Sequence, residues 1–409
     1  MTERQSNIWH IPEGWEVKKL KQCFKFKNGK FFSNELREKT DCEYRYPVYG
    51  GNGIIGYCNE HLLDKETIII GRVGEYCGNV FKTQDKSWVT DNAMLVSDVL
   101  LKDFDINFWT VMLNSLHFNH YSDSTGQPKI TQGSIGAISV IYPSRIIEQS
   151  AIAAILSKVD ESIASVQASI SAAERLKKSL MQNLLTGRMK PDGTLRKDDE
   201  FYVDEKFGKV PKGWEVKKVK DLSIQVTDGE HQTPERSETG YYLLSARNIK
   251  NGQLSLDDVD YISEKELKRI QRRCNPQGGD ILISCSGTIG NVCIVPDGFV
   301  GGMVRSAALV KLNKEKIESQ FAELMFQSHF LQNQMKVSVA SSVQGNIFQG
   351  AIKNLRMFYP QNKQERLEIV NKISQFNKTI LDRVNKITSL ERLKKSLMQN
   401  LLTGRVRVK

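Results

Sequence analysis

The sequence lacks the signals that most often announce a membrane protein or an enzyme. No apolar run approaches the ~20 residues that a membrane span needs, the longest being short stretches such as 151–156. Residues 1–15 hold no apolar core of the kind a secretory leader has, so a cytoplasmic protein is expected. The seven cysteines, at 23, 42, 58, 77, 274, 285 and 293, are odd in number and form no C-x-x-C pair. That spacing supplies neither a disulfide framework nor a zinc site, and reduced, mostly structural thiols are expected. There is no G-x-x-x-x-G-K-[ST] phosphate loop and no G-x-S-x-G elbow. The sequence has no Pro-Pro at all, and hence no Asn/Asp-Pro-Pro-aromatic tetrapeptide of the amino-methyltransferase type.

Three partial motifs remain, each with a plainer reading. Gly51-Asn52-Gly53-Ile54-Ile55-Gly56 fits G-x-G-x-x-G, but a dinucleotide site needs that turn to open a helix, and the residues after it read as strand and turn. Pro191-Asp192 followed by Asp204-Glu205-Lys206 has the outline of a metal-dependent nuclease motif. It lies in the charged, Pro- and Gly-containing stretch 189–209, which reads as a linker. His117-x-x-His120 has no third ligand at metal spacing. No metal, cofactor or catalytic residue is therefore assigned to this chain.

What is present is length, positive charge and repetition. At about 150 residues per domain, 409 residues make two or three domains. The 58 Lys+Arg against 47 Asp+Glu leave a net charge of +11, which favours a polyanionic partner. Nucleic acid is favoured over a membrane surface, because no basic amphipathic anchor is apparent. Residues 361–409 alone hold 12 basic and 4 acidic residues, a net of +8.

The chain is written twice. Residues 174–188 and 391–405 both read ERLKKSLMQNLLTGR, an offset of 217. The offset also pairs Tyr142-Pro143 with Tyr359-Pro360, and Gln127, Ile130, Gln132-Gly133 and Ile135 with Gln344, Ile347, Gln349-Gly350 and Ile352. Pro12-Glu13-Gly14-Trp15-Glu16-Val17-Lys18-Lys19 matches Pro211-Lys212-Gly213-Trp214-Glu215-Val216-Lys217-Lys218 at an offset of 199. Between these ends the halves share little beyond Gly74 with Gly78-Asn79-Val80 and Gly287 with Gly290-Asn291-Val292. Each of these groups follows an apolar run, 68–70 or 281–283. A period this long suits two copies of one domain plus connector rather than a solenoid.

The repeated ends have a heptad seam. Ile152, Leu156, Val159, Ile163, Val166, Ile170, Ala173, Lys177, Leu180 and Leu184 alternate spacings of 4 and 3, and so do Ile369, Ile373, Phe376, Ile380, Arg383, Ile387, Leu390, Lys394, Leu397 and Leu401. Only Lys177, Arg383 and Lys394 interrupt it; they are read as snorkelling out of the seam or facing phosphate or a partner. Prolines 143 and 360 precede the helices and Thr-Gly pairs end them, predicting a first helix over about 146–185, roughly 60 Å long. Pairing the two helices antiparallel buries both seams; the alternative is that each packs only on its own domain.

Two divergent domains, each opening with P-x-G-W-E and closing into a near-identical helix ending LLTGR, resemble the DNA-specificity subunit of a type I restriction-modification system. The second half adds Thr227-Asp228-Gly229-Glu230-His231-Gln232-Thr233-Pro234, Ser245-Ala246-Arg247-Asn248-Ile249 and Gly279-Asp280-Ile281-Leu282-Ile283-Ser284 with Gly287-Thr288-Ile289-Gly290. The first adds Pro47-Val48-Tyr49-Gly50-Gly51-Asn52-Gly53 and Gly71-Arg72-Val73-Gly74. The resemblance implies an α+β fold: two similar mixed α/β target-recognition domains joined by an antiparallel coiled coil, with a pseudo-twofold internal repeat. The expected layout is a first recognition domain at 1–144, spacer helix 145–189, linker 190–209, second recognition domain 210–360, and second helix with tail 361–409. The implied subunit is non-catalytic and reads a bipartite, non-palindromic target with a fixed spacer in double-stranded DNA. Its implied partners are two methyltransferase subunits, which would bind S-adenosylmethionine, and restriction subunits that act as motor and nuclease.

Residues that touch DNA should be polar or basic and placed on glycine-rich loops, where backbone approaches phosphate and side chains reach base edges. In the first domain these are Lys30, Tyr49, Asn52, Arg72, Gln127 and Lys129. In the second they are His231, Arg247, Ser286, Thr288, Arg305, Gln344 and Asn346. Two other readings stay open: a coiled-coil scaffold holding two protein-binding domains, and a self-sufficient nuclease using Asp192 and Asp204.

Overall fold

The structure is a computed structural model that describes residues 11–122, 128–205, 207–340 and 345–408. Contacts divide the chain into a first unit, residues 1–168 with 384–409, and a second unit, residues 169–383. Both long helices are divided between the units, so each unit holds part of both.

In the first unit the strands are β1 (Trp15–Lys19), β2 (Phe24–Asn28), β3 (Tyr46–Gly50), β4 (Gly53–Cys58), β5 (Ile68–Gly71), β6 (Val80–Lys82), β7 (Trp88–Val89), β8 (Ala93–Val99) and β9 (Ser139–Pro143). The helices are α1 (Leu20–Cys23), α2 (Ile106–Ser115), α3 (Gln132–Gly136) and the start of α4 (Ile146–Leu185). Asp105 caps α2 by accepting from the Phe108 N–H at 2.8 Å, and Thr131 caps α3 through Ser134. β5, entirely buried, sits inside the sheet β2-β8-β5-β6, as its unbroken Ile68-Ile69-Ile70 run requires. A smaller sheet, β4-β3-β7, stands beside it. The core gathers Trp15, Phe24, Ile68, Ile70, Phe108 and Trp109, with Phe24 edge-on to Trp109 at 4.9 Å.

The second unit holds β10 (Phe201–Asp204), β11 (Gly208–Pro211), β12 (Trp214–Lys218), β13 (Ser223–Asp228), β14 (Arg236–Ser237), β15 (Tyr241–Leu244), β16 (Ile249–Lys250) and β17 (Gln253–Leu254). They are followed by β18 (Asp260–Ile262), β19 (Ile281–Ser284), β20 (Val292–Ile294), β21 (Gly301–Met303), β22 (Ala307–Leu312) and β23 (Arg356–Pro360). Its helices are α5 (Val219–Leu222), α6 (Glu264–Gln271), α7 (Ser319–Gln327), α8 (His329–Ala340), α9 (Gln349–Asn354) and the start of α10 (Lys363–Leu401).

The two units share a topology that their sequences hide. The sheet β13-β22-β19-β20 repeats the order of β2-β8-β5-β6, and β18-β15-β21 repeats β4-β3-β7. The β3–β7 and β15–β21 pairs are both parallel. The repeated opening strand pairs antiparallel with the strand before each long helix, Trp15 opposite Pro143 and Trp214 opposite Pro360. The chain is thus α+β with an internal repeat.

The long helices pair antiparallel in both units, forming the expected coiled coil. In the first unit Ile152 and Leu156 share a core with Leu397, Leu401 and Leu402, and Asp160 meets Lys394 at 2.6 Å. In the second, Leu180 and Leu184 pack with Ile369 and Ile373, while the Arg383 guanidinium donates to the Ser169 carbonyl at 3.1 Å. Residue numbers therefore rise on one helix as they fall on the other. Every seam position is buried or half-buried, and Gly187 and Gly404 end the helices at φ +66° and +68°. Two of the three seam-breaking cations, Arg383 and Lys394, are thus satisfied within the helix pair.

The expectation of a linker over 190–209 is corrected. Residues 201–204 and 208–211 pair as the antiparallel strands β10 and β11, with Phe207 against Phe330 at 5.1 Å and Val210 fully buried in the core of the second unit. The apolar Phe207 and Val210, scattered among charges, anchor a segment whose average composition reads as solvated. Asp192 is occupied in a turn, accepting from the Thr194 N–H and hydroxyl at 2.8 and 2.7 Å, and Asp204 accepts from the Phe207 N–H at 3.1 Å. Gly51 and Asn52 form the turn between the antiparallel strands β3 and β4 and do not open a helix. Among the described residues no helix is long and apolar enough to cross a membrane, and no His/Cys/Asp/Glu cluster of metal-binding type occurs.

Candidate nucleic-acid interface

A set of backbone hydrogen bonds draws several loops of the first unit together. The Gly29 N–H donates to the Ala93 carbonyl and Lys30 to Val89, both at 2.9 Å. Thr90 donates to Tyr49, Arg72 to Asn92 and Ile130 to Arg72, again at 2.9 Å, and Gly74 to Pro128 at 3.0 Å. Gly29 is required there: a Cβ would press into the Thr90 and Val89 carbonyl oxygens.

The second unit repeats this clasp with different residues. Gly229 donates to Ala307 at 3.1 Å, Glu230 to Met303 at 2.8 Å and Val304 to Leu244 at 2.9 Å. Cys285 donates to Ser306 at 2.8 Å and Ile347 to Cys285 at 3.1 Å. Gly229 is likewise pressed against Met303 and Val304 backbone. The bonds make Lys30 the counterpart of Glu230, Arg72 of Cys285, Asp91 of Arg305 and Lys129 of Asn346. The shared element is peptide backbone, which residue identity hardly constrains, so alignment of side chains misses it.

On the first loop face Lys30, Asn52 and Lys129 are exposed and Arg72 is half-buried. The Arg72 guanidinium donates to the Asp91 carbonyl at 3.2 Å, and Asn52 accepts from the Asn79 amide at 3.2 Å. Tyr49 is a correction. It is 5% exposed in a small core with Ile69, Val89 and Leu95, and its hydroxyl accepts from the Gln84 N–H at 3.0 Å. It stands on β3, the central strand of its sheet, where Pro47–Gly50 are all buried, so it is a packing residue. Gln127 and Gln344 lie outside the described residues.

On the second loop face Arg305 and Thr288 are exposed, and Ser286 and Asn346 half-buried. The Thr288 carbonyl accepts from the Ser284 hydroxyl at 2.5 Å, tightening its loop. Arg247 is held by Asp258 and Asp260, the latter at 2.9 Å, so its charge is neutralised within the unit. His231 meets Asp228 at 2.9 Å, and Arg273 bridges both, at 2.7 Å to Asp228 and 3.1 Å to His231. Burial raises the Asp228 carboxyl, but the hydrogen bonds from Arg273 and His231 outweigh it and hold the group below the usual carboxylate range.

Sequence reasoning missed Arg273, for which no motif gives a signal. It also missed the outer face of edge strand β2, where Lys25 and Lys27 are exposed beside buried Phe24. There the signal was present, in the strict apolar-basic alternation Phe24-Lys25-Phe26-Lys27. His117 and His120 stand with ring centroids 6.1 Å apart on a short helical turn, His117 at φ 49°.

The comparisons accord with this geometry. The model of the type I restriction modification DNA specificity domain matches residues 12–175 and again 211–392. The EcoprrI type I restriction enzyme specificity subunit of Escherichia coli is 34% identical over 167 residues, 41% of this chain and 40% of that protein. The MjaVIII specificity subunit of Methanocaldococcus jannaschii is 21% identical over 434 residues, covering 98% of this chain and 94% of its own. In fold, the chain is similar to the S subunit of a type I restriction-modification system from M. genitalium, with TM-score 0.60 at 17% identity over 98% of this chain and 99% of that one. A second solved structure, of a type I restriction-modification system, also gives TM-score 0.60, at 14% identity over 97% of this chain and 100% of that one. With the family model matched twice across most of its length, the chain belongs to the type I restriction-modification DNA specificity family.

Proposed function

We propose that this chain reads a bipartite, non-palindromic DNA target, one part with each loop face, and directs methyltransferase and motor-nuclease subunits to it. As a member of the specificity family it is the recognition component of a larger system and not itself an enzyme. The observation that carries the finer reading is the pair of loop faces built on one backbone clasp but lined by different side chains. A common frame with unlike surfaces suits two unlike base sequences, and the absence of side-chain symmetry speaks against a palindrome. The antiparallel helices supply a rigid element of fixed length, the property a fixed spacer needs. Two methyltransferase subunits would bring S-adenosylmethionine; this chain's contribution is position.

The test is single-molecule methylome sequencing of cells that express the chain with its neighbouring methyltransferase, against cells without the chain. A new methylated motif in two unlike parts with a constant gap is expected. An unchanged methylome, with a soluble complex and a verified methyltransferase, would point instead to the scaffold reading.

A further inference from the structure

We propose that the two units, each reading its own part of the target, carry the electrostatic part of the DNA affinity unequally: the first also neutralises phosphates through a basic track, whereas the cations on the face of the second are mostly spent on internal ion pairs. The proposal rests on the DNA-reading function given above and adds where the electrostatic part of the affinity resides.

The track runs along the outer side of β2 and into the loops, through Lys25, Lys27, Lys30, Arg72 and Lys129. Lys25, Lys27, Lys30 and Lys129 are exposed. Lys25 has one distant carboxylate, Asp98 at 3.7 Å, and the other four have no ion pair among the described residues. β2 is a sheet edge, so no neighbouring strand covers it. The clasp brings Arg72 and Lys129 to the same loops, Val73 and Lys129 forming a β-bridge.

In the second unit the same positions lack cations. Lys27 opposite Leu95 corresponds to Thr227 opposite Leu309. Two residues earlier Gln225 stands for Lys25, and the clasp places Glu230, Cys285 and Asn346 for Lys30, Arg72 and Lys129. The cations that this face does present are otherwise engaged, Arg247 with Asp258 and Asp260, Arg273 with Asp228, and Arg269 with Glu230 and Glu266. Arg305 is the exposed exception. Cations free of carboxylate partners can neutralise phosphates and release counterions. Held guanidiniums lose less entropy on meeting a base edge and suit directional contacts.

The two roles separate in the salt dependence of affinity, since each neutralised phosphate adds about −0.9 to the slope of log K against log salt. The measurement uses the full chain assembled with its methyltransferase, on duplex containing the methylated motif and on the same duplex with either half scrambled. Replacing Lys25, Lys27, Lys30, Arg72 and Lys129 by Gln should make the slope shallower by about 3 or 4, on all three duplexes alike. Replacing Arg247, Arg273 and Arg305 by Gln should alter the slope by about 1 at most while relaxing discrimination at one half-site. The gain-of-charge variant Gln225→Lys, at the half-buried position that matches Lys25, should steepen the slope by about 1, a result that misfolding cannot imitate. Equal slope losses in the two sets, a larger loss in the second, or no gain in the lysine variant would overturn the division of work while leaving DNA reading intact. A wild-type complex whose DNA retention does not vary with salt would sink the DNA reading itself.

Discussion

Arg407, six residues beyond the last turn of α10, closes on Glu148 in the first turn of α4: Nε lies 2.6 Å from Oε1 and the second guanidinium nitrogen 2.8 Å from Oε2. Glu148 is buried and also accepts from the Trp15 indole at 3.3 Å, while Arg407 donates to the Glu13 carbonyl at 2.7 Å. The second unit builds the same knot with Arg196, which meets Glu365 at 2.5 Å beside the Trp214 indole, at 3.2 Å from the same carboxylate. These arginines are not at matching positions in the repeat, so the second unit reaches the same solution through an arginine of its own. In each case a carboxylate in the first turn of a long helix also gains from the helix dipole.

Arg407→Ala should lower the stability of the first unit by roughly 1–3 kcal/mol, because Glu148 is left buried without its charged donor. Arg407→Lys should recover only part, as an ammonium cannot make the two parallel bonds. Hydrogen exchange of the β1 and β9 amides in the intact chain reports this directly; unchanged protection in Arg407→Ala would show the knot to be energetically idle.

Gly29→Ala should be among the most damaging single changes in the first unit, costing roughly 3 kcal/mol or more, since the new methyl meets fixed carbonyl oxygens and not a flexible side chain. Gly133→Ala, where the nearest atom is the Thr131 hydroxyl at 3.9 Å, should be neutral or mildly stabilising. Thermal unfolding of the two variants side by side makes the comparison, and equal midpoints would refute it.

Glu323, on α7, has one carboxyl oxygen buried without a hydrogen-bond partner among the described residues. Burial pushes its pKa up to about 7, only partly offset by the Ile294 N–H and the charge of Lys177. The folded state then holds a proton that the unfolded chain releases near 4.5. Its contribution is therefore present below pH 4.5 and is lost as the pH rises through 7. Glu323→Gln should remove that decline, gaining on the order of 2–3 kcal/mol over wild type at pH 8 relative to pH 4.5. Denaturant midpoints at the two pH values supply the test; parallel pH profiles would exclude it.

Six of the seven cysteines are buried and Cys42 is exposed. Burial holds the thiols of Cys274, Cys285 and Cys293 up at about 12 and that of Cys23 at about 11. A thiol reagent at pH 8 should modify one group quickly in the folded chain, and Cys42→Ser should abolish that phase. A second fast thiol would mean that one of the cores opens readily.

The frame of the fold was legible because its signals are periodic or repeated. The seam and the bounding Pro and Gly placed the first helix at about 146–185, and it spans Ile146–Leu185. The antiparallel pairing followed from two seams in need of cover. The β10–β11 pair escaped because a few apolar side chains decide packing where composition is averaged over twenty residues. The arginine knots escaped too, joining residues 259 and 169 positions apart with no local pattern. Of the proposed DNA contacts, the loop glycines led to residues that the backbone clasp gathers on one face, whereas Tyr49 shows that a polar aromatic on a motif does not reveal which way its ring faces. The lysines of β2 are legible as a period-two alternation, but such a pattern marks any half-solvated strand and so does not by itself point to a binding face.

The division of the chain has a consequence for its synthesis. The second unit is one continuous stretch, 169–383, whereas the first is completed only by residues 384–409. On the ribosome the segment made first must therefore wait for the segment made last, exposing the apolar faces of Ile152 and Leu156 until Leu397 and Leu401 emerge. The later-made body can consolidate earlier. A premature stop or a frameshift near the carboxyl end thus strikes the amino-terminal loop face, although not one of that face's residues has changed.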